Sequence, residues 1–136
     1  YYKNGIHIWI KSTDSENANL MILLSFIILG HPDWHQGNIR IFDICKQKNY
    51  NETSDLMDDL IESGRLPITS KNVEIIVQKD DVSSKKLVNT YSAEAGLTII
   101  GFREETLNHE GEKLFTGYDD LGDLLFVNSC TQKIID

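Results

Sequence analysis

Five short apolar runs, separated by segments with helical spacing, constrain the fold of this chain more than any other feature of its sequence. The runs are rich in β-branched and aromatic residues, which is typical of strands buried on both faces of a sheet. They lie at 6–10, 38–45, 73–77, 97–102 and 124–127. Patterns that predict helices lie between them, at about 13–30, 53–63 and 82–95, and a brief helix is expected within the less regular segment 103–122.

This alternation predicts an α/β protein with three layers. Parallel strands need crossover connections, and right-handed crossovers place helices on both faces of the sheet. We therefore predict a doubly wound, mostly parallel five-stranded sheet with strand order 3-2-1-4-5. With 136 residues, 40% of them hydrophobic, the chain has the size of a single domain, and we assign residues 1–136 to one domain.

The chain is acidic, with a net charge of −8. A phosphate-bearing partner would be repelled unless a local basic patch compensated for this charge. The densest basic pair in the sequence is Lys85-Lys86. The sequence therefore predicts no basic patch and no nucleic-acid partner.

Cysteine usage and hydropathy indicate a reducing compartment and no membrane span within this chain. Cys45 and Cys130 are the only cysteines, and they lack the C-x-x-C spacing of metal and redox sites. The most apolar stretch covers residues 20–29, whereas a membrane-spanning helix needs about 20 apolar residues. Because the chain starts at Tyr1 without a Met or a signal peptide, we expect it to be a fragment of a longer protein.

In doubly wound sheets, ligands bind beyond the carboxyl ends of the strands where the strand order reverses, which here lies between the first and fourth strands. The candidate ligand crevice is formed by Lys11, Ser12 and Thr13 after the first strand and by Arg103 after the fourth. Neither turn contains the glycines that let a backbone approach phosphate, and neither G-x-G-x-x-G nor the P-loop motif occurs in the sequence. We therefore expect no cofactor.

The histidines do not form a predicted metal or catalytic site. His31 and His35 are four residues apart, but Pro32 disfavours the helix that would bring them together, and no third ligand is evident. His7 alternates with isoleucines inside the first strand, so we expect a buried, hydrogen-bonded histidine. A small enzyme that uses His7 or His109 stays as a lesser hypothesis, because no nucleophile accompanies either residue in sequence.

The first predicted helix is unusual because apolar residues surround its whole circumference. Between residues 20 and 29 only Ser25 interrupts the apolar run, whereas a surface helix normally has one apolar stripe. One side can pack on the sheet, and the outer side needs another cover, such as another domain, a second copy or a membrane-embedded portion. We predict a partner surface, and the alternative is a helix wedged between neighbouring helices. The predicted surface consists of Leu20, Leu23, Leu24, Ile27 and Ile28.

The residues from about 5 to 44 resemble a known family. A strand Ile6–Ile10 with a Trp, a polar turn, a leucine-rich helix, Trp34 and then Ile-Arg-Ile-Phe at 39–42 follow in the order and spacing seen in the cation-chloride cotransporters and amino acid permeases. The segments 95–102 and 124–127 resemble later core strands of the same region. The turn after the first strand departs from the Asp-Asp-Gly-Gly usual in that family.

The resemblance implies a cytoplasmic C-terminal domain of a secondary transporter, similar to the Na-K-Cl cotransporters, with a fold like that of universal stress proteins. It further implies regulation and dimerisation rather than catalysis, and a place on the cytoplasmic side of the cell membrane, to which the missing transmembrane part would attach the domain. The absence of the phosphorylation-linked extensions of eukaryotic members favours a prokaryotic relative. On this interpretation the partner is a second copy of the chain, in a homodimer, or the rest of its own transporter.

A different class of function stays open beside this one. A free-standing universal-stress-like protein would bind a nucleotide at the crevice between the first and fourth strands. Lys11, Ser12 and Arg103 would then hold the phosphates.

Overall fold

The computed structural model of the chain describes residues 4–11, 15–34, 37–63, 67–102 and 104–128. It contains one five-stranded sheet in which every pairing is parallel, with the order β3-β2-β1-β4-β5. The predicted α/β fold and strand order are therefore confirmed. The strands are β1 Ile6–Ile10, β2 Ile39–Cys45, β3 Val73–Val77, β4 Leu97–Gly101 and β5 Asp123–Val127.

Within the described residues, four α-helices connect the strands. They are α1 Ser15–Leu29, α2 Tyr50–Glu62, α3 Ser84–Ser92 and α4 Glu104–Glu110. Short 3-10 turns lie at Pro32–Trp34, Gln47–Asn49, Ser70–Asn72 and Gly111–Phe115. The predicted third helix, 82–95, was too long at both ends. It starts later because the Ser83 hydroxyl accepts a hydrogen bond from the Lys86 N–H and so caps the helix.

The helices cover both faces of the sheet, and each face has its own apolar cluster. On the first face, α1 and α2 contribute Ala18, Met21, Ile22, Met57 and Leu60, which pack on isoleucines of β1, β2 and β4. On the second face, α3 and the segment before β5 pack on aromatic and aliphatic residues of the strands. The buried members of that second cluster are Trp9, Phe42, Ile76, Val88 and Ile100.

Gly101 brings α1 close to β4. A Cβ atom at this position would lie 2.7 Å from Asn17 Nδ2 and 2.8 Å from Met21 Sδ, both on α1. Distances this short require a shift of the helix or of its side chains. The lack of a side chain at Gly101 therefore leaves room for the buried Asn17 and Met21 side chains between α1 and β4.

Two kinds of feature are absent from the part of the chain that the structure describes. No helix there is both long enough and apolar enough to cross a membrane. No group of three or more His, Cys, Asp or Glu side chains there is arranged to hold a metal ion.

Candidate functional site

The outer side of α1 carries an open apolar ridge. Leu23 is 49% exposed and Ile27 is 64% exposed. Residues four apart on a helix are neighbours on its surface, so the two side chains form one ridge, hereafter the α1 ridge. The other three residues of the predicted partner surface, Leu20, Leu24 and Ile28, are half-buried and pack against the first-face core.

No polar side chain interrupts the α1 ridge. Ser25, the one polar residue of the apolar stretch, is fully buried, and its hydroxyl donates to the Ile22 carbonyl oxygen at 2.6 Å. No charged residue occurs between residues 17 and 30. The outer side of α1 is therefore apolar and uncharged in a chain whose net charge is −8.

The predicted crevice between β1 and β4 is described only in part. Lys11 is exposed at the end of β1. Ser12, Thr13 and Arg103 lie outside the described residues, so the structure does not place these three side chains relative to Lys11.

His7 takes part in a side-chain network on the second face of the sheet. The buried Trp9 Nε1–H donates to Ser92 Oγ at 2.8 Å, and the same oxygen lies 2.9 Å from His7 Nδ1. Because the indole N–H can only donate, Ser92 Oγ accepts from Trp9, and the same hydroxyl forms a second hydrogen bond with His7 Nδ1. The prediction of a hydrogen-bonded histidine is confirmed, although its ring is only part-buried.

The pKa of His7 favours the neutral form of its ring. Burial and, to a lesser extent, the positive charge of Arg40 together lower the pKa of His7 from 6.5 to about 4. Two contacts hold the Arg40 guanidinium in place. It donates to the Glu74 carboxylate at 3.0 Å and lies 5.9 Å from the centroid of the Phe42 ring.

A serine hydrogen-bonded to a histidine has the composition of a nucleophile and its base. Here the serine is part of the core, because Ser92 is 0% exposed and its hydroxyl oxygen also accepts a hydrogen bond from the indole N–H of Trp9. A substrate has no access to that oxygen, so the arrangement links α3 to β1 structurally. Of the other histidines, His109 is exposed on α4, and the exposed His31 lies 3.6 Å from the Asp33 carboxylate. His35 lies outside the described residues.

A groove at the carboxyl ends of β2 and β3 was not predicted from the sequence. Three lysines, Lys46, Lys48 and Lys79, line this groove, which has a volume of about 870 Å³. The expectation that the chain has no basic patch was therefore wrong. The lysines of the groove come from segments about 30 residues apart, and only the pairing of β2 with β3 makes them neighbours. We call this site the lysine groove.

Comparison with protein-family models, with curated proteins and with solved structures finds no match to this chain. The fold and the sites together define a doubly wound α/β domain with an open apolar helix ridge and a lysine-lined groove.

Proposed function

We propose that this chain is a non-catalytic regulatory domain that dimerises through the α1 ridge. The observation that carries the proposal is the exposure of Leu23 and Ile27, at 49% and 64%, on a helix with no charged side chain between residues 17 and 30. Exposing large aliphatic side chains to water costs about 25 cal/mol per Å² of apolar area, which a partner surface would recover.

A second copy of the same chain is the proposed occupant of the ridge. The chain has a net charge of −8, so two copies repel each other over most of their surface. An uncharged helix face is where two such copies can approach with the least repulsion. A two-fold axis would place each ridge against its equivalent, which is the commonest arrangement in homo-oligomers.

The ridge alone is too small for a tight interface. Stable interfaces bury about 1,200–2,000 Å² in total, and two side chains supply only part of that area. The contact must therefore extend to the half-buried Leu20, Leu24 and Ile28, which flank the ridge on α1. We expect a reversible dimer with a Kd on the order of micromolar.

Sedimentation equilibrium over a wide concentration range tests this dimer. The wild-type chain should approach twice its 15.5 kDa mass, and the double variant Leu23→Glu/Ile27→Glu should be a folded monomer by circular dichroism. A control adds the same two charges at exposed polar positions, Asn51→Glu/Asn108→Glu, and should still dimerise. A wild-type chain that stays monomeric at high concentration, or a ridge variant that dimerises like the control, would refute the proposal.

We further propose that the domain belongs to the cytoplasmic side of a secondary transporter of the cation-chloride cotransporter or amino acid permease type. The support for this assignment is the sequence resemblance over residues 5–44 together with the doubly wound fold that the resemblance implies. The test is the coding sequence upstream of Tyr1. A run of many hydrophobic spans there would support a transporter, and a start codon close to Tyr1 would instead support the free-standing universal-stress-like protein.

A further inference from the structure

The lysine groove lies where two neighbouring strands end side by side. β2 and β3 pair in register up to their last residues, Cys45 and Val77. The segments that follow them therefore leave the sheet together at its carboxyl edge. Lys46 and Lys48 come from the segment after β2, and Lys79 comes from the segment after β3.

Hydrogen bonds that do not involve the lysine side chains hold the two walls of the groove in place. The Gln78 backbone N–H donates to the Cys45 carbonyl oxygen at 2.8 Å and joins one wall to the other. The Gln78 side-chain amide donates to the Val82 carbonyl oxygen at 2.6 Å and fixes the turn after β3. The groove is therefore formed before any ligand arrives.

The charge of the groove is opposite to that of the chain. Asp80 is the one acidic residue among the described lining residues, so three lysines and one aspartate give a local charge of +2, against −8 for the whole chain. Lys46 Nζ lies 3.5 Å from Asp80 Oδ1, and that aspartate is fully exposed. Lys48 and Lys79 form no salt bridge with any residue that the structure describes.

We propose that the lysine groove binds a compact polyanion with two or more linked phosphate groups. Lysine ammonium groups bind phosphate as point charges, and cations on both walls suit an anion that spans the groove. The groove lies beyond the carboxyl ends of β2 and β3 and not at the switch point between β1 and β4, so the lysines carry the proposal. The site is separate from the α1 ridge and does not depend on the proposed dimer.

Isothermal titration of the 136-residue chain with tripolyphosphate at low ionic strength tests the proposal. The variant Lys46→Gln/Lys48→Gln/Lys79→Gln should bind at least about tenfold more weakly, because three close charges are removed. A control removes the same number of charges elsewhere, at the exposed Lys71, Lys86 and Lys113. This control should lose clearly less affinity than the groove variant, since its three lysines do not line the groove and the attraction between charges falls with distance.

Two results would overturn the proposal. One is the absence of tripolyphosphate binding by the wild-type chain, and the other is an equal loss in the groove variant and the control, which would mean diffuse attraction only. A parallel titration with ATP identifies the source of the phosphates. Binding tighter than that of tripolyphosphate indicates a nucleotide, equal binding indicates a free phosphate chain, and both support the groove as a phosphate site.

Discussion

The indole N–H of Trp9 and the hydroxyl oxygen of Ser92 are 2.8 Å apart across the second face of the sheet. Trp9 belongs to the central strand β1, and Ser92 is the last residue of α3. The same oxygen also meets His7 Nδ1 at 2.9 Å. One buried hydroxyl thus satisfies two side chains of the central strand and fixes where α3 ends.

Replacing Ser92 with Ala should destabilise the fold by about 1–3 kcal/mol, because the buried Trp9 N–H would lose its acceptor. Urea unfolding followed by circular dichroism measures this loss. Ser70→Ala, at an exposed position in a 3-10 turn, is the matched control and should change stability by less than about 0.5 kcal/mol. Equal stability of the two variants would contradict the role given to Ser92.

The stability of the fold should decrease as the pH falls from about 6.5 to about 4. The pKa of His7 in the folded chain is lowered from 6.5 to about 4. Between these two pH values the unfolded chain therefore binds a proton that the folded chain does not bind. The contribution of neutral His7 is fully present above pH 6.5 and is lost as the pH approaches the folded pKa. Since the ring is only partly buried, we expect on the order of 1–2 kcal/mol.

Carboxylates titrate in the lower part of the same window, so the pH effect must be assigned to His7 by substitution. The unfolding free energy of the His7→Gln variant should change less between pH 6.5 and 4.5 than that of the wild type. The exposed His109→Gln variant should keep the wild-type slope. If both variants keep that slope, the titration of His7 does not contribute.

Gly101→Ala should destabilise the fold by about 1–3 kcal/mol, since the new methyl group would displace the buried side chains of Asn17 and Met21. The new Cβ atom would lie 2.7 Å from Asn17 Nδ2 and 2.8 Å from Met21 Sδ. Gly122→Ala is the control, because a Cβ there would meet only the Ala95 carbonyl oxygen at an ordinary 3.8 Å. Thermal unfolding of both variants measures the difference, and a Gly101→Ala variant as stable as the control would refute the close approach.

Much of the fold could be predicted from the sequence because strands buried on both faces are nearly continuous apolar runs. β1 and β3 have the predicted bounds, and β2 and β4 are each one residue shorter than predicted. Helix ends were less accurate, since they depend on single capping contacts such as that of Ser83 with Lys86. The second predicted helix, 53–63, begins earlier, at Tyr50, because the 3-10 turn Gln47–Asn49 leads directly into it.

The sites were harder to predict because each depends on distant neighbours. All-round hydrophobicity identified α1, but only packing separates the exposed Leu23 and Ile27 from their half-buried neighbours. The lysine groove did have a sequence signal, since Lys46 directly follows one predicted strand and Lys79 closely follows another. However, only the register of β2 with β3 shows that these two lysines are neighbours. The β1–β4 crevice stays a prediction, because most of its residues lie outside the described ones.

The strand order also determines when the domain can finish folding. β1 is the central strand, yet one of its two partners is β4, and Ile6 pairs with Leu97, 91 positions (97 − 6) further along the chain. A chain emerging from the ribosome therefore has an unpaired edge on its central strand until β4 has been synthesised. Pairings this distant in sequence make folding slow. During that interval the apolar runs of the first half are open to other chains as well as to their own later partner.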